Sequence, residues 1–176
     1  MKAAVIYGSG DIRYAQMPDP VCGEDDVILK VSACGICGSD SPRILSGWKY
    51  PVPGIPGHEF SGEIVELGKH VKNFSLGDAV AAQPLIPCQS CLHCRSGHYS
   101  MCDHITMIGA DIHGGYAEYV RVPATNILKT GNISMEHAAL LEPCAVALYG
   151  VLGIQPCMGD TVAILGMGTI GQLVLE

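Results

Sequence analysis

Positive charge is scarce in this chain. Only ten of its 176 residues are Lys or Arg, they are scattered rather than clustered, and the formal net charge is -7. Gripping a phosphate backbone needs a basic stripe, so nucleic acid is excluded as the expected partner. Long apolar runs are lacking too. No stretch approaches the ~20 consecutive apolar residues of a membrane-spanning helix. The opening Met1-Lys2-Ala3-Ala4-Val5-Ile6-Tyr7-Gly8 has one positively charged side chain and too short an apolar run for a secretory signal. A soluble cytosolic protein is expected. Internal repeats and low-complexity tracts are absent as well.

What the chain has in quantity is turn punctuation. Its 22 Gly and 11 Pro separate short β-branched runs, which predicts a mainly β, barrel-like first part. Strands are expected over Ala3 to Tyr7, Val27 to Ala33, Glu63 to Leu67, Ala79 to Ala82 and Tyr116 to Val122. In the second of these, Val27, Leu29, Val31 and Ala33 share one face, and Lys30 and Ser32 the other. A helix is expected to start at an N-cap, Ser134, and to be broken or kinked at Pro143, which pushes Glu142 away from helical angles. After the turn Pro156 to Asp160, the continuous apolar run Thr161 to Leu165 reads as a buried parallel strand. The domain boundary is placed near Gly153.

Nine cysteines are many for such a chain, and the count is odd. In a reducing compartment, short regular spacings point to metal before disulfides. Cys88-x2-Cys91-x2-Cys94-x7-Cys102 puts four thiols within fifteen residues, the pattern of a closed structural zinc site. A ferredoxin run would continue with x3-Cys-Pro after the third cysteine, and this one does not. Four sulfurs complete the shell, so His93 and His98 are expected to be solvated.

A second constellation is scattered. Cys37 lies in Cys34-Gly35-Ile36-Cys37-Gly38-Ser39-Asp40, His58 and Glu59 in Gly57-His58-Glu59, and Glu142 interrupts an apolar run before Pro143. Thiol, imidazole and carboxylates form a mixed set suited to a catalytic zinc with an open position. From the residues alone the bland readings stay open: Cys34 and Cys37 as a redox pair, His58 as an ordinary surface histidine. A buried Glu142 would need a metal or an Arg as partner.

Gly166-Met167-Gly168-Thr169-Ile170-Gly171 follows an expected strand and opens an apolar helix from Ile170 to Leu175. In that setting the glycines let the backbone approach a pyrophosphate at the helix N-terminus. Candidate cofactor contacts are Gly166, Gly168, Thr169, Ile170 and Gly171. The acidic residue that would report NAD against NADP is expected ~20 residues further on, beyond Glu176.

Gly57-His58-Glu59-x2-Gly62-x5-Gly68-x2-Val71 resembles the signature of the zinc-containing medium-chain dehydrogenases. So do Gly35 to Asp40, the four-cysteine lobe, Gly114-Gly115-Tyr116-Ala117-Glu118-Tyr119 and Glu142-Pro143, in order and spacing over essentially the whole chain. The resemblance implies a GroES-like, partly open β-barrel over residues 1–153 as the zinc-binding catalytic domain. Residues 154–176 are then the beginning of a Rossmann nucleotide-binding domain. It also implies two zinc ions per subunit, NAD with NADP left open, and a homodimer or homotetramer.

By the same resemblance, Cys37 and His58 ligate the catalytic zinc, and Glu59 and Glu142 are carboxylates that either ligate it or hold its water. Other alcohol dehydrogenases of the family place a second cysteine where this chain has Glu142, which points to the polyol branch. Asp40 would bond the far nitrogen of His58. Ser39 would relay the substrate proton, or cap the helix before Pro42, or both. The implied reaction moves hydride from a secondary hydroxyl of a sugar alcohol, phosphorylated or free. Arg43 and Lys49 are the nearest candidate phosphate contacts, with solvated surface cations as the equal alternative. Because Val174-Leu175-Glu176 falls inside an expected helix, the chain reads as truncated and is expected to bind metal without turning over alone. Two rivals are a non-catalytic zinc protein and a zinc-free quinone reductase of the same superfold.

Overall fold

The computed structural model describes residues 1–176, all free of disulfides. The chain opens with a hairpin of β1 (Lys2–Gly8) and β2 (Asp11–Gln16), paired antiparallel from Lys2↔Gln16 to Gly8↔Asp11. Ala3, Val5 and Ile6 of β1 are buried, whereas β2 turns Ile12 and Tyr14 outward. No strand was expected at β2, because its large apolar residues, Ile12 and Tyr14, do not face a core and only Ala15 does.

A five-stranded antiparallel sheet is the centre of the domain. Its strands are β3 (Asp26–Gly35), β4 (Glu59–Leu67) and β5 (Ala79–Ala82), with β8 (Tyr119–Pro123) and β9 (Ile127–Lys129) at its edges. The order across it is β8-β3-β4-β5-β9. The expected alternation in β3 is present: Val27 and Leu29 are fully buried and Lys30 and Ser32 exposed. They pack with Phe60, Ile64, Val80, Ile108, Val120 and Val122 into one core. Each such fully buried side chain stabilises the fold by about 1.5–3 kcal/mol. Single bridges, Ala3↔Ala117 and Ile6↔Gly54, tie the hairpin to this body, giving a partly open barrel rather than a closed one.

Between β3 and β4 lies α1 (Asp40–Ser46). Between β5 and β8 a lobe stands on a two-stranded stem, β6 (Leu85–Ile86) paired with β7 (Thr106–Met107), and contains α2 (Leu92–Arg95) and a 3-10 turn.

The helical region departs from the expected layout. Ser134 is indeed an N-cap, its Oγ accepting from the His137 amide at 3.3 Å, and α3 (Met135–Ala139) follows. Ser61 Oγ, on β4, donates to the Met135 carbonyl at 2.5 Å and pins this helix to the sheet. The break, however, falls at Leu140. Pro143 sits in the first turn of α4 (Leu141–Ile154), where a missing amide costs no helical bond. Glu142 is therefore helical, contrary to the expectation drawn from its proline neighbour. Gly153 lies in the last turn of α4, which Gln155 closes with φ 47°.

The Pro156–Asp160 turn forms, with the Cys157 amide donating to Asp160 Oδ2 at 2.7 Å. The apolar run Thr161 to Leu165 is not a strand: nothing in the chain pairs with it, and Leu165 is 98% exposed. A β-strand is a ladder partner, and hydrophobicity alone cannot supply the ladder. The helix α5 (Thr169–Leu175) packs against α4.

Candidate functional site

Register in the central sheet assembles the first site. Gly35 at the end of β3 pairs with Glu59 at the start of β4, so the turn leaving one strand lies beside the turn entering the other. Cys37 comes from the first turn and His58 from the second. Cys37, His58 and Glu59 bring one ligand atom each within 4.8 Å of one another, with His58 and Glu59 buried. Gly57 makes this approach possible. Its φ is +95°, and a Cβ there would meet Tyr116 Cδ1 at 2.6 Å and Cys34 Sγ at 2.9 Å.

Asp40 backs this cluster. It is 4% exposed, and its Oδ1 faces His58 Nδ1 at 3.6 Å. Its Oδ2 accepts from the Cys37 amide at 3.2 Å and from the Tyr116 hydroxyl at 2.7 Å. The ring nitrogen opposite Nδ1 is left for the cluster. Ser39 precedes α1, but its backbone is already helical and its side chain caps nothing. The hydroxyl instead donates to Cys37 Sγ at 3.2 Å, so the capping role is not observed.

Glu142 is half-buried on α4 and stands outside the three-residue cluster. Burial, and then the charge of Glu59, raise its carboxyl above the usual range. It lines a cleft of about 580 Å³ together with Ala81, Gln83, Leu85 and Tyr149. No Lys or Arg is within ion-pair distance of Glu59 or Glu142. Two neighbouring carboxylates and a thiol without a cation are an arrangement that a divalent metal would neutralise. Cys34 is no partner for Cys37: it is a free thiol at the end of β3, and burial pushes it up to about 12.

Tyr116 was not singled out as a site residue from the sequence. Its only signal is an aromatic ring directly after two glycines, which does not say which carboxylate the hydroxyl will reach.

In the lobe, Cys88, Cys91, Cys94 and Cys102 converge within 4.8 Å. Amides of Cys88, Cys91, Cys94 and His104 donate to the sulfurs at 3.3–3.4 Å, the environment that favours thiolates. Hydrogen bonds from Ser90 hold Cys88 down to about 5, whereas burial and the neighbouring sulfurs push Cys94 up to about 12. Four such groups ionise together only around a cation. The Cys88–Cys94 sulfur separation of 4.0 Å excludes a disulfide. It is near the about 3.8 Å edge of a tetrahedron with zinc–sulfur bonds of about 2.3 Å. His93 is half-exposed near Asp103, and His98 is exposed.

At the far end, Gly166 has φ +100°, and a Cβ on Gly171 would run into the Gly166 carbonyl oxygen. Both glycines are thus required by the loop that opens α5, whose first amides lack intrahelical acceptors. Gln172 Nε2 closes the loop by donating to the Met167 carbonyl at 3.1 Å.

Comparison with known proteins agrees with these features. Residues 23–132 match the alcohol dehydrogenase GroES-like domain family. Galactitol 1-phosphate 5-dehydrogenase of Escherichia coli strain K12 is 38% identical over 178 aligned residues, covering 100% of this chain and 51% of that enzyme. Sorbitol dehydrogenase of Bacillus subtilis strain 168 is 35% identical, covering 99% of this chain and 51% of that enzyme. The crystal structure of galactitol-1-phosphate dehydrogenase from Escherichia coli superposes with a TM-score of 0.93 over 99% of this chain and 51% of that one, at 38% identity. The chain spans about half the length of the curated relatives it matches. From its GroES-like barrel, its four-sulfur lobe and these matches, the chain belongs to the zinc-dependent medium-chain dehydrogenases.

Proposed function

We propose that this chain supplies the zinc-binding half of an oxidoreductase that moves hydride from a secondary hydroxyl of a sugar alcohol to a nicotinamide dinucleotide. The observation that carries the reading is the convergence of a thiol, an imidazole and a carboxylate within 4.8 Å, beside a separate four-sulfur site. When bound, zinc supplies Lewis acidity that eases loss of a hydroxyl proton, and the nicotinamide supplies the hydride acceptor.

The remaining work falls to side chains of this chain. Cys37 and His58 hold the metal, with Glu59 as the carboxylate whose place in the cluster supports it over Glu142. Glu142 serves as the second carboxylate, on the cleft side. Asp40 orients His58, and the Ser39 hydroxyl, 3.2 Å from Cys37 Sγ, relays the substrate proton, accepting it as its own proton passes on to solvent. Cys88, Cys91, Cys94 and Cys102 hold a second zinc in a structural role. Residues 1–153 form the catalytic unit and 154–176 the nucleotide unit, in which Gly166, Gly168, Thr169, Ile170 and Gly171 cradle the cofactor pyrophosphate.

Galactitol 1-phosphate is the substrate we favour, supported by the relatives that bear that name. A free polyol is the second reading, supported by the similar sorbitol dehydrogenase. Arg43 is half-buried on α1 and Lys49 exposed, and neither is in an ion pair, so both are available to a phosphate.

Metal analysis under graded chelation tests the site. Two zinc ions per chain are expected, the one at Cys37, His58 and Glu59 leaving first because its shell is open. One zinc only, or release of both in step, refutes the catalytic assignment.

A further inference from the structure

We propose that Tyr116 is a positioning residue for the mixed metal cluster, acting through Asp40 to fix the orientation of His58. The proposal rests on the reading of Cys37, His58 and Glu59 as a metal site.

The Tyr116 backbone is held on both sides. Its amide donates to the Pro56 carbonyl at 2.9 Å, its carbonyl accepts from the Ala4 amide at 2.8 Å, and the adjacent Gly115 amide donates to the Gly57 carbonyl at 2.8 Å. Its ring lies over Gly57, the residue before His58, in the space a Cβ would need. The hydroxyl is therefore delivered to a fixed point. There it has two acceptors, Asp40 Oδ2 at 2.7 Å and the Gly35 carbonyl at 3.1 Å. A phenol has one proton, and the shorter, charge-assisted bond to the carboxylate takes it. Burial, and then the bond to Asp40, push the phenol well above its ordinary range, so that it stays a donor.

The consequence for Asp40 is geometric. Oδ2 is pinned by two donors, the Cys37 amide and the Tyr116 hydroxyl, and only Oδ1 faces His58 Nδ1. With Oδ2 held, the carboxylate plane is restrained, and Oδ1 stays 3.6 Å from His58 Nδ1, where its charge favours a proton on that nitrogen. Without the hydroxyl, Oδ2 keeps one donor and the plane is free to swing. Cys37 and His58, ligands from two different turns, share this one carboxylate as their common brace.

Tyr116→Phe keeps the ring over Gly57 and removes only the hydroxyl. The experiment measures Zn²⁺ affinity of the labile site by chelator competition, and the visible spectrum after Co²⁺ replacement. The wild type, Tyr116→Phe, Asp40→Asn and the double variant are compared in the intact protein, with the urea midpoint of each metal-free form as the control for folding. Expected are about tenfold weaker metal binding in Tyr116→Phe, an altered Co²⁺ spectrum, and a double variant no weaker than Asp40→Asn alone, because the two act in series. Wild-type affinity and spectrum in Tyr116→Phe, or losses that add in the double variant, overturn the role of Tyr116 and leave the metal site standing. A wild type that takes up metal in the four-sulfur lobe alone overturns both.

Discussion

Gly57→Ala is the sharpest test of how the fold makes the mixed cluster. Two costs add at this position. A side chain at φ +95° is strained, by about 1–2 kcal/mol. The new methyl would also meet the Tyr116 ring at 2.6 Å and Cys34 Sγ at 2.9 Å, both packed from behind, an overpacking that costs about 1–3 kcal/mol. Together they predict a loss of about 2–5 kcal/mol. Gly131→Ala is the internal control, because Gly131 also has positive φ, +61°, but no atom within 4 Å of its built Cβ. It should lose only the first term. Urea unfolding of both variants in the metal-free protein, compared at equal m, gives the difference directly. Gly57→Ala should also weaken metal binding at Cys37, His58 and Glu59 and leave the four-sulfur lobe untouched. Equal destabilisation in the two variants would refute the steric argument, since the strain term alone would then suffice.

A helix cap and a candidate phosphate contact can each be tested by one substitution. Ser134→Ala removes the acceptor of the His137 amide at the start of α3 and should cost about 1 kcal/mol in urea unfolding, with Ser134→Asp close to neutral. On the proposed reading of Arg43 as a phosphate contact, Arg43→Ala in the intact enzyme should raise KM for galactitol 1-phosphate far more than for galactitol or sorbitol, measured side by side as NADH formation, because only the phosphorylated compound would lose a charge-assisted bond. An equal effect on all three would remove Arg43 from phosphate recognition, and a wild-type preference for sorbitol would remove the phosphate.

The parts of this molecule that were legible in the sequence are those whose determinants are local. The four-cysteine lobe is written within fifteen residues, and its thiols converge because short turns and one turn of helix carry them. Ser134 could be read as a cap because its partner is three residues away. Strand β3 announced itself by alternation over a buried face. Where a strand turns its large apolar residues outward, as in β2, or has no ladder partner, as at Thr161 to Leu165, the apolar pattern gave the wrong answer in opposite directions. Pattern reports burial potential, and pairing is a property of the rest of the fold.

The mixed cluster shows the same division inside one site. Cys37, His58 and Glu59 could be named as candidates from residue chemistry, but their meeting depends on Gly35 pairing with Glu59 across 24 positions of sequence, a register that no local pattern fixes. Glu142 was singled out because it interrupts an apolar run before Pro143, and it is indeed half-buried; only the backbone expected of it was mistaken. The rule that a residue before proline avoids helical angles was overridden, because α4 begins at Leu141 and places Pro143 where the first turn tolerates it. Its helical setting changes what the residue can do: it presents a carboxylate from a rigid element across a cleft, near enough for Glu59 to raise its pKa and far enough to stay out of the three-residue cluster. Glu59 opens strand β4 inside the cluster, whereas Glu142, on its helix, would reach a metal there only if the metal or the helix moved. Glu59 and Glu142 are thus placed for unequal roles, and the difference lies in the elements that carry them.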